Sequence, residues 1–241
     1  MIVGDTTLGG SDRAFPKTVV DLLTGLQDPS EEARRAALGE LCLRYWKPTY
    51  TYIRRTWPRS NEEAKDLTQG FFLWILDGDR LKKYEKERSS FRTYLKLLLR
   101  HFVGRQDEAM ETLKRGGGRH FLPLGADDVL PDPGSGDPDQ SFDREWRRDL
   151  LAAALDHVRR RYQASGKSRQ LQAFEEYDLH AGSDRPTYAE LAGKMGVKAS
   201  DVHNYLFAIR EEIREQVRSE LSRTTSTPDQ FREEWNAFIE A

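Results

Sequence analysis

A single cysteine, Cys42, stands in 241 residues. One thiol builds neither a disulfide framework nor a Cys-based zinc site. Long apolar runs are also missing. The longest centres on Phe71–Leu76, far short of the ~20 residues that cross a bilayer, so no membrane partner is expected. The first residues, MIVGDTTLGGSDR, lack a basic start followed by an apolar block, which argues against a secretory signal and makes a cytoplasmic protein the expectation. No P-loop and no glycine fingerprint after a strand occurs, and His101, His120, His157, His180 and His203 lack metal-ligand spacing. The expectation is therefore not an enzyme, with no catalytic residue, no metal and no cofactor. Charge of one sign is absent overall: 38 Lys and Arg against 40 Asp and Glu leave a net −2. Hydrophobic residues make up only 37% and charged residues 32%, too lean for a thick α/β core and better suited to small helical domains with wide solvated faces.

What is present is helical periodicity, with no alternation of strand type. Val19, Val20, Leu22, Leu23 and Leu26 make a first helix. Asp28-Pro29-Ser30-Glu31 reads as a start signal for a second, carrying Leu38, Leu41, Cys42, Tyr45, Tyr52 and Ile53, with Pro48 expected to kink or divide it. Trp57-Pro58 closes that segment. Ser60 to Glu63 is a capping box, followed by the apolar stripe Ala64, Leu67, Phe71, Ile75 and an opposite face with Glu62, Glu63, Asp66 and Gln69. From Phe91 a long helix carries Tyr94, Leu95, Leu98 and Phe102, while Arg92, Lys96 and Arg100 share another face one turn apart.

The neutral total conceals a dipolar layout. Residues 88–115 hold seven bases and three acids, net +4, and residues 122–145 hold seven acids and one base, net −6. The Gly/Pro/Asp-rich stretch 116–145 reads as a flexible acidic linker. Helices resume at Trp146, and Thr227-Pro228 opens a last one with Phe231, Trp235, Phe238 and Ile239 on its apolar face. The expected fold is all-α, two small helical domains joined by that linker, plus a C-terminal helix that either packs on the second domain or binds a partner or gates activity.

Two constellations carry information. In Thr187-Tyr-Ala-Glu-Leu-Ala-Gly-Lys-Met-Gly-Val-Lys-Ala-Ser-Asp-Val, the residues Ala192, Gly196 and Val202 have helix-turn-helix spacing. A small residue suits the close crossing, glycine the left-handed turn and an apolar residue the return contact. The second helix, from about Ala199 to Arg210, would enter a major groove, although the same spacing also fits an ordinary helical hairpin. The other constellation is Glu63-Ala-Lys-Asp-Leu-Thr-Gln-Gly-Phe-Phe followed by Phe91-Arg-Thr-Tyr-Leu and Leu98-Leu-Arg-His-Phe, an acidic helix face and then a basic, aromatic-rich helix. Each helix alone also fits a packed bundle with a solvated exterior.

In this order the motifs resemble bacterial RNA polymerase sigma factors of the sigma-70 family, extracytoplasmic-function type. The resemblance covers about residues 15–115 and 146–221. It implies a flexible start at 1–14 and a sigma region 2 helical bundle at 15–115 for core polymerase and the minus-ten element. A linker at 116–145, a sigma region 4 helix-turn-helix at 146–221 for the minus-thirty-five element, and a C-terminal extension at 222–241 complete the layout. Implied partners are core RNA polymerase (the β′ clamp helices and the β subunit) and promoter DNA, with an anti-sigma protein or a Ser/Thr kinase as controllers. On that resemblance Glu63, Asp66 and Gln69 face polymerase. Arg92, Lys96, Arg100, His101, Arg105, Lys114 and Arg115 meet minus-ten DNA, where cations bind phosphates and release counterions. Lys198, His203, Asn204, Tyr205 and Arg210 are the helix-turn-helix candidates. The alternative is a free-standing helix-turn-helix regulator, which would need a symmetric dimer.

The chain also departs from the family pattern. Lys65 and Gly70 stand where acids are expected, weakening the acidic face, and a phosphate on Thr68 would restore about −1.5 to −2 charges there. Thr68 is thus a candidate phosphosite. Residues 183–223 hold seven bases and seven acids, a poor balance for phosphate binding.

Overall fold

The computed structural model describes residues 19–57, 60–77, 80–116, 137–180, 184–225 and 227–239, with backbone alone at 19–20 and 107–116. Residues 1–14, most of the expected linker (117–136) and Pro58 lie outside these. Among the described residues the structure is helical without strands: α1 (Val19–Leu26), α2 (Glu31–Thr56), α3 (Asn61–Leu76), a 3-10 turn at Leu81–Lys83, α4 (Phe91–Gly116), α5 (Pro138–Ala164), α6 (Ser168–Asp178), α7 (Tyr188–Met195), α8 (Ala199–Thr224) and α9 (Pro228–Ile239). The described residues group into two compact units, one of residues 19–148 with 222–239, the other of 149–221. None of the described helices is long and apolar enough to cross a membrane.

The first unit follows its local signals closely. Ser30 caps α2, its hydroxyl accepting from the Ala33 N–H at 3.4 Å. Ser60 and Glu63 form the full reciprocal box of α3: the Ser60 side chain accepts from the Glu63 N–H at 3.3 Å, and the Glu63 carboxylate accepts from the Ser60 N–H at 3.0 Å. Trp57 is extended at φ −130°, ψ 137°, as a residue before proline must be. Pro48, by contrast, neither divides nor ends α2, which stays continuous through it. An interior proline costs about 3 kcal/mol through its missing N–H and the clash of its ring with the preceding turn, and burial of that ring in the core offsets it.

That core is aromatic. Tyr45, Phe71, Phe91, Leu41, Ile53, Ile75, Leu95 and Leu99 are sealed from solvent. Phe71 meets Phe102 edge-on at 5.6 Å, and Tyr45 meets Phe91 at 5.5 Å. Each such side chain contributes roughly 1.5–3 kcal/mol by burial, with more from the edge-to-face geometry. Gly25 of α1 packs so close to α2 that a Cβ there would lie 3.0 Å from that of Ala37.

Two boundaries differ from expectation. Helix α5 begins at Pro138, inside the stretch read as linker. Asp137 accepts from the Asp139 N–H at 3.0 Å, proline fills the first helical position, and Phe142 and Trp146, one turn apart, are buried in the first unit. Helix α9 belongs to the first unit rather than to the one that holds α7. Its most deeply buried residues are polar. Gln230 and Glu234 are its buried residues, while Phe231, Trp235 and Phe238 are half-buried and Ile239 is exposed. The reason lies in what receives it: the Gln230 amide donates to the Lys86 and Glu87 carbonyls at 3.1 and 3.3 Å, and Glu234 meets an arginine described below.

In the second unit, Ala192 and Val202 are buried and Gly196 holds the turn at φ 65°, ψ 38°. Its N–H and that of Val197 reach back to the end of α7, Val197 to the Ala192 carbonyl at 3.1 Å. Thr187 and Glu190 close the capping box of α7. Lys198 at the head of α8 lacks a capping hydroxyl, yet Asp201 supplies half a box by accepting from the Lys198 N–H at 3.0 Å. Nothing lies within 4 Å of a Cβ at Gly196, so the cost of a side chain there is backbone strain alone. Gly196→Ala is expected to lower stability by about 1–2 kcal/mol, read by denaturant unfolding of the full chain. An unchanged midpoint would mean that the turn is not held left-handed.

Candidate functional site

Three surfaces hold the residues singled out from the sequence. On α3 the exposed residues Glu62, Asp66, Gln69 and Leu73 follow one another at helical spacing and form a single strip. Leu73 was not anticipated, although its place off the Ala64–Phe71–Ile75 stripe was available as a signal; it is 59% exposed. Glu63 is exposed too, but its carboxylate is engaged in the Ser60 capping box. Glu62 pairs with Lys65 at 3.0 Å. Thr68 needs correction as a phosphosite. It is buried against the core, and its hydroxyl donates to the Ala64 carbonyl at 2.7 Å.

On α4 the expected DNA-facing cations divide. Arg92 is not solvated: its side chain is 8% exposed and clamped between Asp143 of α5 and Glu234 of α9, each carboxylate 2.6 Å from one end of the guanidinium. Its Cζ lies 4.6 Å from the Trp146 ring centroid, a cation–π contact. Glu234 is only 7% exposed and accepts from the Ser90 hydroxyl at 2.6 Å. Lys96 reaches Asp143 at 2.9 Å and Asp139 at 3.7 Å. Arg100 holds Asp139 with both arms of its fork, which with the nearby Asp139 charge raises its pKa further above the arginine range. It nevertheless stays 56% exposed. Beyond it His101 and Arg105 are exposed on the same helix, and the side chains of Lys114 and Arg115 lie outside the described residues. Asp139 and Asp143 sit one turn apart in the first turns of α5, where the helix dipole also favours acids. Glu145 adds a contact to Lys47 of α2 at 3.2 Å.

No protein-family model, curated protein or solved structure matches this chain.

Next to the basic helix, the loop before it is firmly tied. Tyr84 meets Phe91 edge-on at 5.3 Å and donates its hydroxyl to the Ser89 carbonyl at 3.0 Å. Burial, with the Glu87 and Glu234 carboxylates nearby, pushes its hydroxyl up to about 12. Tyr94 donates to the Arg80 carbonyl at 2.6 Å. Residues 80–90 are thus a braced segment.

In the second unit Lys198, His203 and Asn204 are exposed, and His203 and Asn204 share one face of α8 with Ser200 and Phe207. Phe207, 58% exposed, was also missed; it stands three residues after Asn204 and four after His203. Tyr205 is half-buried and off that face. Arg210 also departs from expectation. Asp178 of α6 accepts from its Nε and Nη2 at 2.8 and 2.7 Å, a pairing that raises its pKa. Arg185 completes the clamp on Asp178 at 2.8 Å and stacks 3.7 Å from the Tyr177 centroid. Arg210 and Arg185 therefore tie α8 and the segment before α7 to α6 through Asp178.

Among the described residues no group of three His, Cys, Asp or Glu side chains is placed to hold a metal ion. Cys42 is half-buried, and desolvation pushes its thiol up to about 11.

Proposed function

We propose that the chain is a promoter-specificity subunit of RNA polymerase, a sigma factor. The observation that carries this reading is the pairing, within one chain, of a helix-turn-helix with its left-handed glycine in place and a capped helix bearing an exposed strip of acid, amide and leucine. A free-standing regulator has use for the first and none for the second. On this reading Asp66, Gln69 and Leu73 dock on the β′ clamp helices, with Glu62 and Glu63 flanking them. Ser200, His203, Asn204 and Phe207, with Lys198 at the helix head, face the minus-thirty-five major groove: amide and imidazole read base edges, and phenylalanine suits a thymine methyl. The zero net charge of residues 183–223 makes this contact weak in isolation. Polymerase, by holding the unit near DNA, supplies the missing strength as effective concentration.

The test is co-elution with sigma-free bacterial core polymerase, comparing wild type with Asp66→Lys/Gln69→Lys. Glu63 is left intact because substitution there also removes a helix cap. Wild type is expected to co-elute, and the variant to bind on the order of tenfold more weakly or worse. A wild-type chain that fails to bind core polymerase overturns the reading in favour of a free-standing DNA-binding regulator.

A further inference from the structure

We propose that Asp139, Asp143 and Glu234 form a built-in anionic plug on the cationic face of α4, and that the phosphodiester backbone of DNA displaces it. The inference rests on the reading of α4 as a nucleic-acid helix and adds its regulation: the free chain is shut, and its own carboxylates occupy the positions of phosphates.

The contacts match in number and kind. Three carboxylates meet three cations: Arg92 takes Asp143 and Glu234, Lys96 takes Asp143, and Arg100 takes Asp139. Guanidinium and ammonium groups spaced one turn apart bind phosphate oxygens with the same geometry they offer to carboxylates. Two observations set this cluster apart from an ordinary structural network. The buried Arg92 Nε and the buried Glu234 Oε2 both lack a hydrogen bond, so the guanidinium and its carboxylates are imperfectly matched. Moreover, the fully buried residues of α9 are the polar Gln230 and Glu234, so part of its seat is polar and open to exchange. Desolvation offsets most of the attraction in a buried ion pair, and a ligand that supplies more anionic oxygens can exchange with it. An entry edge exists as well. Arg100 is largely exposed, and His101 and Arg105 continue along α4 beyond the plug. A phosphate chain can engage these first and then replace Asp139 and Asp143 in turn.

The test uses the full chain and a fluorescent single-stranded oligo-dT, followed by anisotropy over a salt series. Asp139→Asn/Asp143→Asn/Glu234→Gln keeps the side-chain shapes and removes the anions. Its affinity is expected to rise at least tenfold over wild type. Its log K against log salt plot should steepen by about two, since each cation freed for single-stranded phosphate adds roughly 0.7. Adding Arg92→Gln/Lys96→Gln/Arg100→Gln should abolish the gain. Equal affinities for the triple variant and wild type overturn the proposal. A triple variant that fails to fold leaves a second readout on wild type: hydrogen exchange at residues 138–147 and 228–239 should rise when oligo-dT is added, and unchanged protection at saturating oligonucleotide also overturns it. Neither arm contains polymerase. A chain that shows the gain yet fails to bind polymerase keeps the plug and loses the sigma reading; the converse result loses only the plug.

Discussion

Arg92→Ala is expected to lower the unfolding free energy of the first unit by roughly 3–5 kcal/mol, because it strands two carboxylates that were taken from water to meet it. Glu234 suffers most. It is 7% exposed, and its remaining polar partner is the Ser90 hydroxyl at 2.6 Å. Asp143 keeps Lys96 at 2.9 Å and is partly wetted. The loss also empties the space above the Trp146 ring, removing a cation–π contact of about 0.5–2 kcal/mol. Arg92→Lys preserves charge without the fork and cannot reach Asp143 and Glu234 together, so it should fall between alanine and wild type. Urea unfolding followed by circular dichroism gives the ranking. Alanine and lysine variants both within 1 kcal/mol of wild type would mean that the cluster is solvated and contributes little.

The second large effect is at Thr68. Thr68→Glu is expected to destabilise the first unit by about 3 kcal/mol or more, through overpacking and a carboxyl group placed in the core. The sign with pH follows from linkage. A buried carboxyl has its pKa raised in the folded state, so that state binds more protons than the unfolded chain, and stability falls as pH rises above the ordinary carboxylate value. The penalty should therefore be smaller near pH 4 than near pH 7, while Thr68→Gln shows no such trend. Thr68→Val keeps the volume and loses one hydrogen bond to the Ala64 carbonyl, so about 1 kcal/mol is expected. If Thr68→Glu melts with wild type at pH 7, the side chain is turned outward and phosphorylation becomes tenable again.

What was legible in the sequence was whatever is decided within a few residues. The Ser60–Glu63 and Thr187–Glu190 boxes, the left-handed glycine at 196 and the start of α4 obey rules of local hydrogen bonding and sterics, and all stand where those rules put them. Thr68 was legible too and was misread. It continues the stripe of Ala64, Phe71 and Ile75 at helical spacing, which is a core position whatever the polarity of the hydroxyl. The start of α5 and the seating of α9 depend on partners far away in sequence. Asp139 and Asp143 look like linker acids until Arg92, Lys96 and Arg100 are brought beside them, and the aromatic side of α9 looks like its docking face until Ser90 and Arg92 claim Glu234. A cation on a helix face reads as solvated because nothing nearby in the chain says otherwise.

The hydrogen bond between Ser90 and Glu234 joins residues 144 apart, while Arg92 and Asp143 are 51 apart. Loop closure over such spans carries an entropic cost that local helix formation does not, so these contacts form after the helices they connect. Helix α9 also follows every other described element during synthesis. Until α9 is in place, the Arg92 clamp on α4 lacks its Glu234 carboxylate. The order of the chain puts the covering of that helix on a clock, with the second carboxylate of Arg92 arriving last.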